Sequence, residues 1–98
     1  MNPANVISLL TRRAEEVAIT AHLLEEMDIK PVSISITESY AIIYINKIPS
    51  PKKIQGKTTG STYVKGNLFV VNQAVVNNVF VKWLTPYFDA QATAKKVH

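Results

Sequence analysis

The sequence predicts an α+β fold: a long N-terminal helix packed on a small antiparallel sheet of two β-hairpins, followed by one or two short C-terminal helices. Apolar residues recur every three or four positions over residues 3–28, as on one side of a helix. Residues 32–45 are rich in β-branched side chains and contain a polar turn. Asn72 can cap a later amphipathic segment. A length of 98 residues with 47% hydrophobic side chains fits a single domain, residues 1–98.

The N-terminal helix is predicted over about residues 3–28. Asn2 can accept hydrogen bonds from backbone amides at the helix start, and Pro3 suits the first turn. Pro31 prevents the helix from continuing. At about 1.5 Å per residue the helix is about 39 Å long, whereas a compact globule of this chain length is about 33 Å across. We therefore expect the helix to span or overhang its domain. Its apolar stripe consists of Ile7, Leu10, Ala14, Val17, Ala21 and Leu24.

Two hairpins are predicted after the helix, over about residues 32–46 and about residues 63–71. Residues 32–37 alternate between aliphatic and hydroxyl side chains, which indicates a half-buried strand. Residues 40–45 are apolar on both sides, which is typical of a central strand or of a strand covered by a partner.

A basic loop rich in proline and glycine is predicted over about residues 47–62, because its prolines cannot donate ladder hydrogen bonds and its glycines add backbone freedom. A loop of this length in a compact domain is usually functional or disordered. A C-terminal helical part is predicted over about residues 73–95. Its first helix ends near residue 84, although its valines prefer strands, and Thr85-Pro86 then marks the start of a short third helix.

Charge is unevenly distributed along a chain whose net charge is +4. Residues 1–38 contain three basic and six acidic side chains, whereas residues 39–98 contain eight lysines and one acid, Asp89. Such a one-sided potential favours acidic partners, either nucleic acid or an acidic protein surface. The predicted contact residues are Lys47, Pro49, Pro51, Lys52, Lys53, Lys57 and Lys65.

Three interpretations of the basic loop remain open. In a nucleic-acid site the lysines would neutralise phosphates, and Tyr40, Tyr44 or Tyr63 would offer stacking surfaces, although base-specific contacts favour arginine. In a docking strip the segment 49–51 would be pre-extended. Because its X–Pro bonds can populate the cis isomer, a prolyl isomerase is a candidate partner. The third interpretation is a solvated loop without a partner.

The helix stripe has two interpretations. An apolar helical stripe usually covers the protein's own sheet. However, Ala14 and Ala21 are small enough for another backbone to come close, and Leu9, Ile19 and Leu23 lie off the stripe and also need cover. A homodimer, or docking on another protein, through the first helix is therefore the alternative.

The sequence contains no set of residues that defines a reaction, so we expect a protein that is not an enzyme. Adjacent glutamates at 15–16 and 25–26 diverge by about 100° on a helix. The segment 56–58 resembles the end of a phosphate-binding loop, but Pro51 occupies the position of its first glycine. Without cysteine or clustered histidine we expect no disulfide, metal or cofactor. With no long apolar run and no recognisable secretory signal we expect a cytoplasmic location.

In its size, its lack of catalytic motifs and its segment Ile48-Pro49-Ser50-Pro51-Lys52-Lys53, the whole chain resembles bacteriophage anti-RecBCD accessory proteins. The resemblance implies a small non-enzymatic protein in the host cytoplasm. Such a protein binds a host DNA-repair complex, the recombination exonuclease–helicase, and modulates it. The first helix and the basic loop are then the candidate surfaces. The alternative is a small basic DNA- or RNA-binding module that uses the lysine loop.

Overall fold

A computed structural model describes residues 3–87 of the chain, with side chains for residues 5–87. Within these residues a single helix packs on one face of a five-stranded sheet with the order β1-β2-β5-β4-β3. The elements are α1 (Pro3–Glu26), β1 (Pro31–Ile36), β2 (Ala41–Ile45), β3 (Lys57–Val64), β4 (Asn67–Val76) and β5 (Val79–Pro86). The predicted α+β class is confirmed. The predicted antiparallel sheet is wrong, because β2 and β5 are parallel and the sheet is mixed.

α1 ends two residues earlier than predicted, in a Schellman motif. The Ile29 N–H donates to the Leu24 carbonyl and the Asp28 N–H donates to the Glu25 carbonyl, both at 2.9 Å. Asp28 adopts the left-handed conformation that this motif requires, with φ 61°. Ile29 and Leu24 are both buried, which supplies the apolar contact that usually accompanies the motif. The chain therefore reverses towards β1 before the proline is reached.

Only the second half of α1 covers the sheet. Val17 and Leu24 are buried there, whereas Arg13 already lies at the β1–β2 turn, with its Nη2 3.5 Å from the Ser39 carbonyl oxygen. Residues 5–12 therefore extend past that end of the sheet, and the molecule measures 52 Å along its longest axis against 29 Å along the next. The residues of the predicted stripe therefore differ in their exposure. Val17, Ala21 and Leu24 are buried or pack against the core, Leu10 is half-buried, and Ile7 and Ala14 are exposed.

Thr20 fixes the helix to the sheet at a position that the predicted stripe does not include. Its side chain is fully buried. Its Oγ1 lies 2.8 Å from the Glu16 carbonyl oxygen on α1 and 3.3 Å from the Val76 carbonyl oxygen on β4. A buried hydroxyl with two backbone carbonyls in reach is satisfied without a second side chain.

The helix predicted from residue 73 to about residue 84 is wrong, because these residues form the end of β4 and most of β5. Asn77 and Asn78 both have positive φ, 51° and 64°, as in a type I′ turn between two strands. The valines on either side favour strands because they are β-branched. The third predicted helix, to about residue 95, lies outside the described residues after Tyr87.

The arrangement in two hairpins is also wrong. Lys65 and Gly66 form a two-residue turn with φ 51° and 83°, and they join β3 to β4. β4 then continues to Val76 and pairs with both β3 and β5. Because β5 in turn lies beside β2, the five strands described here belong to one sheet.

The core lies between α1 and one face of this sheet. The side chains that face α1 come mainly from the two central strands, β2 and β5. They are Ala41, Ile43 and Ile45 on β2, Val79, Val81 and Trp83 on β5, and Ala74 on β4. Ile54, from the segment between β2 and β3, joins the same cluster, so that segment completes the cover beside α1.

Replacing a core residue of α1 tests this packing. We expect Leu24→Ala to lower the free energy of unfolding by about 2–5 kcal/mol, because Leu24 is fully buried and the truncation leaves a cavity. Ile19→Ala on the outer side of the same helix, where Ile19 is 57% exposed, should change it by less than about 1 kcal/mol. Urea unfolding followed by circular dichroism measures both. Equal losses would contradict the assigned helix face.

Candidate functional site

The predicted loop over about residues 47–62 is too long, because residues 57–62 belong to β3. Residues 47–56 remain a loop, which is packed against the protein at two points rather than fully solvated. Pro49 and Ile54 are buried. The Ser50 carbonyl accepts hydrogen bonds from the N–H groups of Lys53 and Ile54, both at 2.9 Å, so residues 51–53 form a tight turn. Pro51 is exposed and Pro49 is not, so only one of the two prolines is available at the surface. Docking of a prolyl isomerase stays a prediction.

Gly56, at the end of this segment, packs directly against the Trp83 side chain. A Cβ on Gly56 would overlap Cη2 and Cζ2 of the indole, far inside van der Waals contact. Trp83 is 6% exposed and lies in the core, so its ring cannot move aside easily. The chain therefore needs glycine at position 56 for close approach.

The predicted lysines do not all form one patch, although Lys47 and Lys53 line a common depression with Pro49. Lys47 Nζ lies 3.5 Å from Asp28 Oδ2 and 3.2 Å from the Asp28 carbonyl oxygen. Lys47 therefore pairs with a residue just beyond the C-terminal end of α1. Lys57 begins β3, and Lys65 lies in the turn that follows β3. At about 3.3 Å per residue these two are about 26 Å apart along the strand. Lys52 and Lys53 lie in the tight turn at residues 51–53.

The predicted tyrosines are also dispersed. Tyr40 lies in the β1–β2 turn. Tyr63 pairs with Leu68 and faces the same side of the sheet as α1, beyond the covered area, where it is 72% exposed. Tyr44 faces the opposite side. Nucleic-acid binding by the lysine loop stays a prediction, but the structure does not assemble the loop lysines and these rings into one surface.

The side of the sheet that faces away from α1, here called the open face, is a larger candidate surface. Its side chains alternate along the strands with those of the core. Its central residues are Ile42, Tyr44, Phe69, Val71, Val75, Phe80, Lys82 and Leu84, and the described residues bury none of these eight. The cross-strand register places Tyr44 beside Lys82, Lys82 beside Gln73, and Gln73 beside Lys57. A polar row therefore crosses an otherwise apolar face.

The open face is positively charged. None of the five strands contains an aspartate or glutamate, whereas Lys57 and Lys82 both lie on strands. The six acids of residues 3–87 are in α1, at its C-terminal end (Asp28) and in the β1–β2 turn (Glu38). Lys82 is half-buried, and its ammonium group has no hydrogen-bond or ion-pair partner within residues 3–87. Its charge is therefore available to a ligand.

A depression of about 350 Å³ opens on this face, where β2 ends and β5 continues. Its lining includes Val32, Tyr44, Phe69 and Leu84, with Trp83 beside them. The aromatic side chains of the depression suit a flat, apolar group. Lys82 is not part of the lining but lies beside Tyr44, so it adds a positive charge nearby.

Sequence reasoning missed Phe69, Phe80 and Lys82 as site residues. The error came from predicting a helix, since Phe80 and Lys82 share a face only if the segment is a strand. The signal that identifies the strand is the run of β-branched and aromatic residues at 79–83 directly after the paired asparagines.

Comparison of the chain with protein-family models, with curated proteins and with solved structures gives no match. Within residues 3–87, histidine, aspartate and glutamate side chains do not gather in groups of three or more. No helix in that stretch of the chain combines the length and apolarity needed to cross a bilayer.

Two glycine substitutions test the anchoring of the loop. Gly56→Ala should lower the free energy of unfolding by about 1–3 kcal/mol, because the new methyl group would overlap the Trp83 ring. Gly60→Ala should change it by less than about 0.5 kcal/mol, because nothing lies within 4 Å of the added Cβ. Tryptophan fluorescence during denaturation measures both. If Gly56→Ala leaves the free energy of unfolding unchanged, the loop does not pack on Trp83.

Proposed function

We propose that the protein is a small non-enzymatic, phage-type protein that binds a host protein complex in the host cytoplasm and modulates it by contact. The resemblance to anti-RecBCD proteins makes the host recombination exonuclease–helicase the first candidate partner. The observation that carries the proposal is the part of α1 that extends past the sheet, residues 5–12, here called the protruding segment. Ile7 on this segment is 64% exposed.

The protruding segment has the form of a docking helix. Ile7 and Leu10 within it, and Ala14 just after it, follow the i, i+3, i+7 spacing with which amphipathic helices enter grooves on partner proteins. Ile7 and Ala14 are exposed and Leu10 is half-buried, while Val6 and Leu9 add further half-buried apolar surface nearby. The helix is already formed and is anchored through its second half, so docking costs little conformational entropy.

The partner is best sought among large complexes with a groove. The protruding segment is about two turns long, since it covers residues 5–12 at about 3.6 residues per turn. Two such segments packed on each other would bury less surface than a stable interface needs, whereas a groove can enclose several sides of one helix. Homodimer formation through the helix is the competing arrangement.

A charge placed on the protruding segment tests the proposal. Ile7→Asp should weaken binding to the purified host exonuclease–helicase by about tenfold or more, because it puts a carboxylate at the centre of the apolar contact. Ile19→Asp is the matched control, because Ile19 is 57% exposed on the half of α1 that lies over the sheet. Calorimetric titration gives the affinity, and nuclease and unwinding assays give the modulation.

The possible results separate the candidate functions. Binding that Ile7→Asp weakens and Ile19→Asp does not supports the helix surface. Absence of binding by the unmodified protein would contradict this partner. A dimer that Ile7→Asp dissociates, seen by light scattering, would assign the segment to a second copy of the chain.

A further inference from the structure

We propose that the open face binds single-stranded nucleic acid, with bases stacked on its aromatic side chains and phosphates paired with its lysines. This site is separate from the protruding helix segment and from the lysine loop. The juxtaposition that carries the proposal is Tyr44 beside Lys82 on the two central strands, next to the depression of about 350 Å³.

The aromatic residues are arranged as a stacking surface. Tyr44 on β2, Phe80 on β5 and Phe69 on β4 all face away from α1, on three adjacent strands. Tyr44 is 37% exposed, and the other two are half-buried. Each ring therefore still has surface that a base can cover. Stacking is tolerant of sequence because every base has a flat π-face.

The charges lie where a sugar–phosphate backbone would pass. Lys82 and Lys57 belong to one row across the sheet, with Gln73 between them. Lys82 is without an acidic partner among residues 3–87, and the strands bring no carboxylate to this face. A phosphate would therefore meet attraction from both lysines, and residues 3–87 place no carboxylate on this face.

Two observations favour a single strand over other occupants. A duplex presents its phosphates outside and its bases inside the stack, so it cannot cover these aromatic rings with base faces. A second copy packed face to face on the same sheet would bring a second set of lysines into the interface, without a carboxylate from either set of strands. Like charges held close in a partly desolvated interface are unfavourable.

The test measures binding of labelled oligothymidylate to the full chain by fluorescence anisotropy, at a series of salt concentrations, with the corresponding duplex as comparison. We expect the single strand to bind more tightly than the duplex. Tyr44→Ala should weaken binding about tenfold through loss of stacking. Tyr44→Phe, which keeps the ring, should retain it. Lys82→Gln should reduce the slope of log affinity against log salt by about 0.7, the contribution of one phosphate contact.

Matched controls lie on other surfaces. Tyr63→Ala removes an exposed ring from the opposite side of the sheet, and Lys52→Gln removes a lysine from the loop. Neither should change the affinity, and Ile7→Asp should not change it either. The test of the open face can therefore fail without affecting the proposal for the helix, and the reverse is also true.

Several results would overturn the proposal. These are no binding of the single strand, equal binding of the duplex, or equal losses from Lys52→Gln and Lys82→Gln. Unchanged affinity in a folded Tyr44→Ala variant would show attraction by charge alone, without stacking. Self-association that Tyr44→Ala abolishes, measured by sedimentation, would assign the open face to a second copy.

Discussion

The structure depends on the parallel pairing of β2 with β5. Only three residue pairs form it, from Ile42–Phe80 to Tyr44–Lys82, but it joins the N-terminal α1-β1-β2 unit to the β3-β4-β5 meander. Along both strands, successive side chains point to opposite faces of the sheet. Ile43 and Val81 are fully buried beneath α1, while Tyr44 and Lys82 lie side by side on the open face. The same register therefore produces both the core and the candidate binding surface.

This pairing leaves the open face without acids from the strands. The acidic side chains of residues 3–87 belong to α1, its C-terminal end and one turn, whereas the strands contribute Lys57 and Lys82. The side of the sheet that carries α1 holds charges of both signs, among them Lys47, which lies 3.5 Å from Asp28 Oδ2. A partner that approaches the open face therefore meets lysines first, because the acids of the described residues lie elsewhere and solvent screens them.

Local patterns allowed the sequence to predict α1 and the first two strands closely. The helical spacing of Val17 and Leu24 and the alternation in residues 32–37 each indicate one structure. The segment 73–84 was ambiguous. Val76, Phe80, Trp83 and Leu84 fit the spacing of a helix, yet the same stretch is rich in the β-branched and aromatic residues that favour strands. The paired asparagines are typical of a type I′ turn, which indicates two strands rather than a helix.

The position of β5 could not be read from any local pattern. Its partner β2 lies more than thirty residues earlier in the chain, and a parallel pairing needs a long connection, which here is the β3–β4 hairpin rather than a helix. The open face was missed for the same reason. Tyr44 was recognised as an available ring, but Lys82 becomes its neighbour only through this pairing. Likewise, the packing of Gly56 on Trp83, which fixes the basic loop, joins residues from distant positions in the chain.

The edges of the sheet limit how this molecule can associate with others. Both edge strands carry a bulge, between Pro31 and Ser33 on β1 and between Thr58 and Gly60 on β3. Bulges, an edge proline and lysines at both ends of β3 interrupt the regular row of backbone groups that a foreign strand would need. Addition of a strand at either edge is therefore disfavoured. The protruding end of α1 and the open face do not depend on these edges. The two surfaces lie on opposite sides of the sheet, so the two proposed partners, a protein and a nucleic-acid strand, would not compete for the same surface.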